Sequence, residues 1–383
     1  MNLFIPNLGS TSLKYQILEM PSETVIGKGR LERVSNYREA IAQISTGGTP
    51  IDGIALKAVH AGPAYRGTFV VDENVIAAMR QFLPAAPAHN AIYLTAIDAF
   101  QQAMPGVPIV CAFEPEFHAT MPTHARLYGV PGQWRDEGVV KYGFHGASHQ
   151  FIAERVAEML GRNGKLVSCH LGGSSSMCAI DGGRSVDTTM GFSPQSGLEN
   201  ATRHGDLDVF AVLYMMERHG WSTEEVRVQL AKGGGLAGLS GVAGGDVRDL
   251  EAAGTENAAL ALDVFVYEVK KTIGAFAAAM GGLDAIAFTG GIGENSAGLR
   301  ERCCAGLEFL GIRLDAERNA AAGDRLVSSE GAKVTVLALS TNEELIVARR
   351  AYCCLTAAQQ RAKLTDDEER SSVPRRKKGA TRG

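Results

Sequence analysis

From Leu166 to Ile180 the chain reads Leu-Val-Ser-Cys-His-Leu-Gly-Gly-Ser-Ser-Ser-Met-Cys-Ala-Ile. Two apolar runs joined by a Gly/Ser knot predict a β-hairpin. The knot offers several backbone N–H groups and a row of hydroxyls with almost no side-chain bulk. Glycine lets the backbone approach a ligand closely, and successive N–H groups in a turn form a concavity for anions. Alone, such a stretch is only a tight hairpin. The chain, however, opens with nearly the same pattern, from Leu3 to Leu18, and Gly9-Ser10-Thr11-Ser12 lines up with Gly173-Ser174-Ser175-Ser176. Two such units, one opening each half, predict a duplicated domain in which each half presents a polar turn to a shared cleft.

A chain of 383 residues is long enough for two domains with separate cores. Hydrophobic residues make up 45% and charged residues 21%, the balance of a soluble globular protein. A net charge of -4 gives no nucleic-acid footprint. No apolar run reaches the roughly 18 residues that span a bilayer, and the N-terminus lacks the pattern of a signal peptide. The seven cysteines include two adjacent pairs, Cys303-Cys304 and Cys353-Cys354, which suit neither disulfides nor zinc. They read as reduced thiols of a cytoplasmic protein. From Thr365 to Gly383 the chain is almost devoid of apolar residues, which predicts disorder. Its Arg375-Arg376-Lys377-Lys378 run reads as a solvated tail.

Strands are expected at Ile51–Val59, Val107–Phe113, Ala285–Phe288 and Val334–Leu339. Helices are expected at Asp72–Phe82, Ile92–Met104, Gln150–Leu160, Asp206–Glu217, Asn257–Met280, and from Ser340 to about Leu355. In the longest, Leu262, Val266, Val269, Ile273, Phe276 and Met280 form a stripe at spacings of three and four. Ser222-Thr-Glu-Glu225 is a capping box. The stretch Ser185–Gly205 reads as irregular.

A strand followed by a Gly-containing polar turn recurs at Asn7–Ser12, Gly172–Ser176, Gly244–Arg248 and Thr289–Ser296. In α/β folds, phosphates gather where strands end and helix N-termini begin, drawn by free N–H groups and the helix dipole. Four such turns point to a nucleotide cleft. The chain has no G-x-x-x-x-G-K-[ST] and no protein-kinase motif set, and Gly-Gly-Ile-Gly-Glu does not fit a dinucleotide fingerprint.

Asn7-x-Gly-Ser-x-Ser-x-Lys14, Tyr142-Gly-Phe-His-Gly-x-Ser-His149, Thr202-Arg-x-Gly-Asp206, Thr289-Gly-Gly-Ile-Gly-Glu-Asn-Ser296 and Thr341-Asn-Glu-Glu-Leu345 resemble, in order, the motifs of the acetate kinase family. The likeness runs from Asn2 to about Leu355. It implies an α/β fold of two duplicated actin-like (ribonuclease-H-like) ATPase domains with a nucleotide cleft between them. The expected units are residues 1–118 with 345–363, and 119–344, followed by a disordered charged tail over 364–383. It also implies a homodimer that transfers a phosphoryl group between ATP and a small carboxylic acid, with Mg²⁺ (or Mn²⁺), and that engages neither nucleic acid nor membrane.

The residues suit that chemistry. A carboxylate, with a pKa of about 4, is ionised at neutral pH and needs no general base. It needs positive charge, so that two anions can meet and the transferring group is held. By resemblance, Arg203 contacts the acid and the phosphoryl group, and His145 donates a hydrogen bond to that group. Lys57 and Glu114 stand at the other catalytic positions. Val59, Ala88, Phe144 and Pro194 line the acid's apolar pocket. Asn7 and Glu343 match the metal site, with Glu344 adjacent. Ser10, Ser12, Lys14, His170, Leu171, Gly172, Gly173 and Ser174 line the phosphate path. Asp246, Val247, Arg248, Gly290, Gly291, Ile292 and Asn295 match the adenosine side.

The chain departs from the family pattern at several points. Lys57 replaces an arginine and Glu114 an aspartate, a change expected to form a compensated pair. Lysine keeps the charge but loses the planar fork. Gly173-Ser174 replaces Asn-Gly, and Glu199-Asn200-Ala201 replaces Met-Met-Gly ahead of Thr202-Arg203. Ala88 stands where the family has leucine, which enlarges the pocket unless a neighbour such as Tyr93 fills it. Two alternatives follow: a kinase for propionate or a larger acid, and a nucleotide-binding paralogue with a scaffold or regulatory role. A sugar kinase is disfavoured, because no matched carboxylate is evident to deprotonate a hydroxyl.

Overall fold

The computed structural model describes residues 1–9, 12–44 and 46–372, except the side chains of Ala88, Ala362 and residues 365–372. Two six-stranded sheets organise it. The first contains β1 (Asn2–Leu8), β2 (Ser12–Glu19), β3 (Thr24–Glu32), β4 (Gly53–Ala58), β5 (Thr68–Val70) and β6 (Ile109–Phe113), in the order β3-β2-β1-β4-β6-β5. The second contains β7 (Lys165–His170), β8 (Ser176–Asp181), β9 (Arg184–Thr188), β10 (Ala285–Thr289), β11 (Arg325–Leu326) and β12 (Thr335–Ala338), in the order β9-β8-β7-β10-β12-β11. Each sheet has an antiparallel meander, then two strands parallel to its first, then an antiparallel edge strand. The duplication legible in the two hairpins is a duplication of topology, and the fold is the expected α/β one.

The central strands read as continuous apolar runs because helices cover both faces. In the first sheet, Phe4 and Leu56 pack against Ile97 and Phe100 of the helix Pro87–Ala103. Leu3, Ile5, Ala55 and Val110, on the other face, pack against Ile346, Val347, Ala351 and Leu355 of the C-terminal helix Glu343–Ser372. In the second sheet, Val167, Cys169, Ile286 and Phe288 meet the predicted stripe of the helix Glu256–Met280. Ala285, Ala287 and Leu337 meet Ile152, Ala153 and Val156 of the helix Gly146–Leu160. The capping box at Ser222 is present.

Two expectations are corrected. The stretch after Ser185 is not wholly irregular, since β9 pairs there with β8. The C-terminal helix does not stop near Leu355 but runs to Ser372, into the stretch read as a disordered tail. Once nucleated and docked, a helix extends cheaply through good helix formers such as Ala357–Lys363. Residues 373–383, with the basic run, lie outside the described residues. No cysteine forms a disulfide. Among the described residues no helix is long and apolar enough to cross a membrane.

Candidate active site

Corresponding strands of the two sheets end in polar groups. In the first half these are Asn7 near the end of β1, Lys57 in β4 and Glu114 just after β6; in the second they are His170 closing β7, Gly290 just after β10 and Glu343 beyond β12. Lys57 joins the halves. Its ammonium contacts Glu343 directly and lies 3.6 Å from Glu114 Oε1. Burial alone would lower the Lys57 ammonium, but Glu343 and Glu114 outweigh burial and hold it well above its ordinary range. Burial raises Glu114, and Lys57 offsets only part of that. Burial also pushes Glu343 up, yet its contact with Lys57 wins and lowers it. Glu343 is therefore the closer and stronger partner of Lys57. The expected Lys57–Glu114 pairing exists as the longer arm of a three-member cluster.

Arg203 is the second focus. One amino group donates to Ser174 Oγ at 3.0 Å and to the Pro194 carbonyl at 3.2 Å; the other lies 3.4 Å from His89 Nε2. Among the described residues it has no carboxylate partner. The Gly/Ser turn and the Arg203 segment are stitched together by Asn200: its Oδ1 accepts from the Ser175 N–H, while Ala201 N donates to the Gly173 carbonyl at 3.0 Å. The replaced Glu199-Asn200-Ala201 stretch thus holds the turn to the arginine.

His145 has a φ of 55° at the start of the helix Gly146–Leu160. The glycines around it are sterically required. A Cβ at Gly143 (φ +81°) would meet the His118 ring at 2.6 Å, and one at Gly146 would collide with the Glu114 carbonyl. The His145 ring stacks on His170 at 4.3 Å and bonds Ser176 Oγ through Nδ1 at 2.8 Å. Burial, and the imidazoles of His170 and His149 beside it, hold His145 well below its usual range.

The adenosine-side residues converge. Gly172, Gly173, Asp246, Val247, Arg248, Gly291, Ile292 and Asn295 line one cavity of about 810 Å³. Its floor is tight: Ile292 N and Gly293 N donate to the Leu171 carbonyl at 2.9 and 3.1 Å, and a Cβ at Gly290 (φ +76°) would lie 2.6 Å from that oxygen. Asp246 caps the helix Val247–Ala253 and pairs with Arg248 at 2.7 Å.

Other predicted residues are placed less centrally. Val59 and Phe144 are buried in one core cluster together with Tyr93. The Ala88 side chain and all of Ser10 lie outside the described residues. Ser12 begins β2. Lys14 is exposed, opposite Asn7 in the hairpin register, and lines a groove of about 400 Å³ with Asn7 and Glu344. Asn7 donates to Glu344 Oε1 at 2.9 Å, so its partner is Glu344 rather than Glu343.

Glu114 Oε2 is buried and accepts no hydrogen bond. With Glu343 it gives the cluster more acceptor capacity than one ammonium fills. No three His, Cys, Asp or Glu side chains converge as a closed metal cage among the described residues. A sparse carboxylate set of this kind fits Mg²⁺, which keeps most of its waters.

Sequence reasoning passed over His89, Asn200 and Ser176. His89 had one signal: it follows directly on Ala88, a predicted pocket position. Asn200 stood out only as a departure from the family pattern and Ser176 only as the end of the Gly/Ser turn, because their roles depend on contacts across 25 to 31 residues of sequence.

A model of the acetokinase family matches residues 40–349. The acetate kinase of Shouchella clausii (strain KSM-K16) is 40% identical over 382 residues, covering 89% of this chain and 96% of that protein. Among solved structures, Porphyromonas gingivalis acetate kinase superposes with a TM-score of 0.81 at 32% identity, covering 92% of this chain and 99% of that one. A propionate kinase from Francisella tularensis subsp. tularensis SCHU S4 does so at 0.83 and 28%, covering 91% and 98%. The chain belongs to the acetokinase family.

Proposed function

We propose that this kinase transfers the γ-phosphoryl group of ATP reversibly to the carboxylate of acetate, giving acetyl phosphate and ADP. The observation that carries this reading is Arg203, a largely buried cation held by a hydroxyl, a carbonyl and an imidazole, with no carboxylate among the described residues to neutralise it. Buried charges are normally paired, so the seat is completed by an anionic substrate. The acid arrives ionised and attacks without losing a proton. Arg203 spans acid and phosphoryl group, and His145 adds a neutral hydrogen-bond donor. Lys57 presents a permanent positive charge beside them, kept in place by Glu343 and Glu114. Val59, Phe144 and Pro194 exclude water from the acid's apolar end, with Ala88 beside them. The turn Leu171–Ser174 with Ser10, Ser12 and Lys14 serves the phosphates, and His170 flanks them. Asp246–Arg248 and Gly290–Asn295 hold the adenosine.

Asn7 and Glu343 hold Mg²⁺, with Glu344 orienting Asn7. Bound there, the ion neutralises charge on the nucleotide phosphates. The two functional units are residues 1–118 with 345–363, and 119–344. The protein is a cytoplasmic homodimer. Self-association is supported by the helix Val209–His219, where Val209 and Phe210 are 62% and 74% exposed.

Propionate as preferred acid is the second reading, motivated by alanine at position 88. Tyr93, buried in the same core cluster as Val59 and Phe144, is the neighbour that would close that space. Purified protein with ATP, Mg²⁺ and a panel of acids, with hydroxylamine trapping acyl phosphate, tests both. Acetyl hydroxamate in excess of propionyl supports the first reading. ATP binding without any hydroxamate overturns both and favours a scaffold role.

A further inference from the structure

Beneath His145 lies a buried chain of hydroxyls and imidazoles. His145 Nδ1 is 2.8 Å from Ser176 Oγ. The same oxygen is 2.9 Å from His149 Nε2, and His149 Nδ1 is 2.9 Å from Ser168 Oγ. Ser168, Ser176 and His149 are all fully buried. Each link is one hydrogen bond, and each neutral member has one proton to give.

Such a chain has two polarities in which Ser176 both accepts and donates; a third, with both imidazoles donating to Ser176, leaves its buried hydroxyl proton with no acceptor among the described residues. In one, each donation runs away from the cleft: His145 Nδ1–H to Ser176, Ser176 to His149 Nε2, and His149 Nδ1–H to Ser168. The Ser168 hydroxyl proton then needs an acceptor of its own, and its one side-chain bond among the described residues is to His149. A buried donor left unsatisfied costs about 1–3 kcal/mol. In the other polarity Ser168 donates to His149 Nδ1, His149 Nε2–H donates to Ser176, and Ser176 donates to His145 Nδ1. Ser168, His149 and Ser176 are then all satisfied, and only the His145 Nε2–H is left without a partner among the described residues.

We infer that Ser168, His149 and Ser176 are positioning residues that lock His145 in the Nε2–H tautomer, so that it presents a fixed hydrogen-bond donor to the transferring phosphoryl group. Burial keeps the His145 ring neutral, so this one proton decides whether the ring donates or accepts toward an anion. The stacked His170 ring, itself bonded to Ser148 Oγ at 2.8 Å, holds the plane of the imidazole. A donor that does not release its proton suits an acceptor that arrives already ionised. The role in phosphoryl transfer rests on the proposed kinase activity; the tautomer does not.

The test is nitrogen NMR of the full-length protein with ¹⁵N-histidine, His145 being assigned by the signal missing from His145→Gln. The expected result is a protonated Nε2 and a bare Nδ1 in wild type. Ser176→Ala should abolish the single tautomer and lower kcat about 10- to 100-fold, less than the roughly 10²- to 10³-fold cost of removing a transition-state donor outright, while KM for the acid changes far less. Ser168→Ala should leave a mixture of tautomers and a smaller loss of kcat. That variant and the wild-type spectrum keep the inference falsifiable if Ser176→Ala does not fold. A wild-type His145 protonated at Nδ1, or a folded Ser176→Ala with unchanged kcat and spectrum, overturns it. A wild type with Nε2–H that phosphorylates no acid sinks the kinase reading and leaves the tautomer lock standing.

Discussion

The two halves share a strand order but contribute different chemistry to the cleft. The first brings charged and amide side chains: Asn7 from β1, Lys57 from β4 and Glu114 after β6. The second lines its 810 Å³ cavity with many glycines, among them Gly172–Gly173, Gly244–Gly245 and Gly291. Duplicated topology decides where strand ends converge. The residues at those ends decide whether a half handles charge or cradles a ligand. Arg203 and Glu343 blur the division: Arg203 lies 3.4 Å from His89, and Glu343, the first residue of the helix that docks on the first sheet, contacts Lys57.

That contrast makes graded predictions. The largest effect belongs to Arg203→Ala, which removes the cation without a carboxylate partner. Acyl phosphate formation should fall about 10³- to 10⁵-fold, the range for an arginine at a transferring phosphoryl group, with near-wild-type thermal stability. A modest loss would move the transfer chemistry to the first half.

Next comes Lys57→Ala. It strands Glu343 and Glu114 as buried carboxylates, so stability should drop by about 3–5 kcal/mol, the usual penalty for breaking a buried pair. Urea unfolding at neutral pH measures it. Adding Glu114→Gln should recover part of the loss. If Lys57→Ala is as stable as wild type, the charges of the first half are not the joint between the halves.

Acid should loosen the fold through its buried histidines. Burial lowers His60 and His118 to about 4 from an ordinary 6.5. Their neutral forms are favoured in the fold, so the unfolded chain binds more protons as pH falls. Stability is full above pH 6.5 and falls toward pH 4, by up to about 1.4 kcal/mol per pH unit for each histidine. A Tm that stays flat from pH 7 to 4.5 would contradict this. The smallest effect is expected at Arg248→Ala. That side chain is 87% exposed and, among the described residues, its ion pair is with its neighbour Asp246. The change should raise KM for ATP by no more than about fivefold, within the ~1 kcal/mol of a surface ion pair. A large loss would mean that side chains, not backbone, govern the second half.

Much of the frame was legible in the sequence. The hairpins announced themselves through apolar runs around Gly/Ser turns, and the helix Glu256–Met280 through its stripe, because strand and helix periods are local properties. The strand-end turns also pointed to residues that line one cavity. Illegible were contacts made across long separations. Asn7 meets Glu344 across 337 residues and Lys57 meets Glu343 across 286. Sequence placed Glu343 and Glu344 side by side but could not say which faces the amide and which the ammonium. The hydroxyls under His145 were invisible for a related reason: serine in a strand has no pattern until its cross-sheet neighbour is known. β9 was missed because Arg-Ser-Val-Asp-Thr carries too few apolar residues to stand out from its glycine-rich surroundings.

The C-terminal helix follows the second sheet in the chain yet buries its apolar side on the first. During synthesis the N-terminal half leaves the ribosome with Leu3, Ile5, Ala55 and Val110 uncovered. Their partners, Ile346 to Leu355, are translated only after the whole second sheet. The half made first is therefore the half completed last, and its apolar face stays uncovered until the final helix arrives.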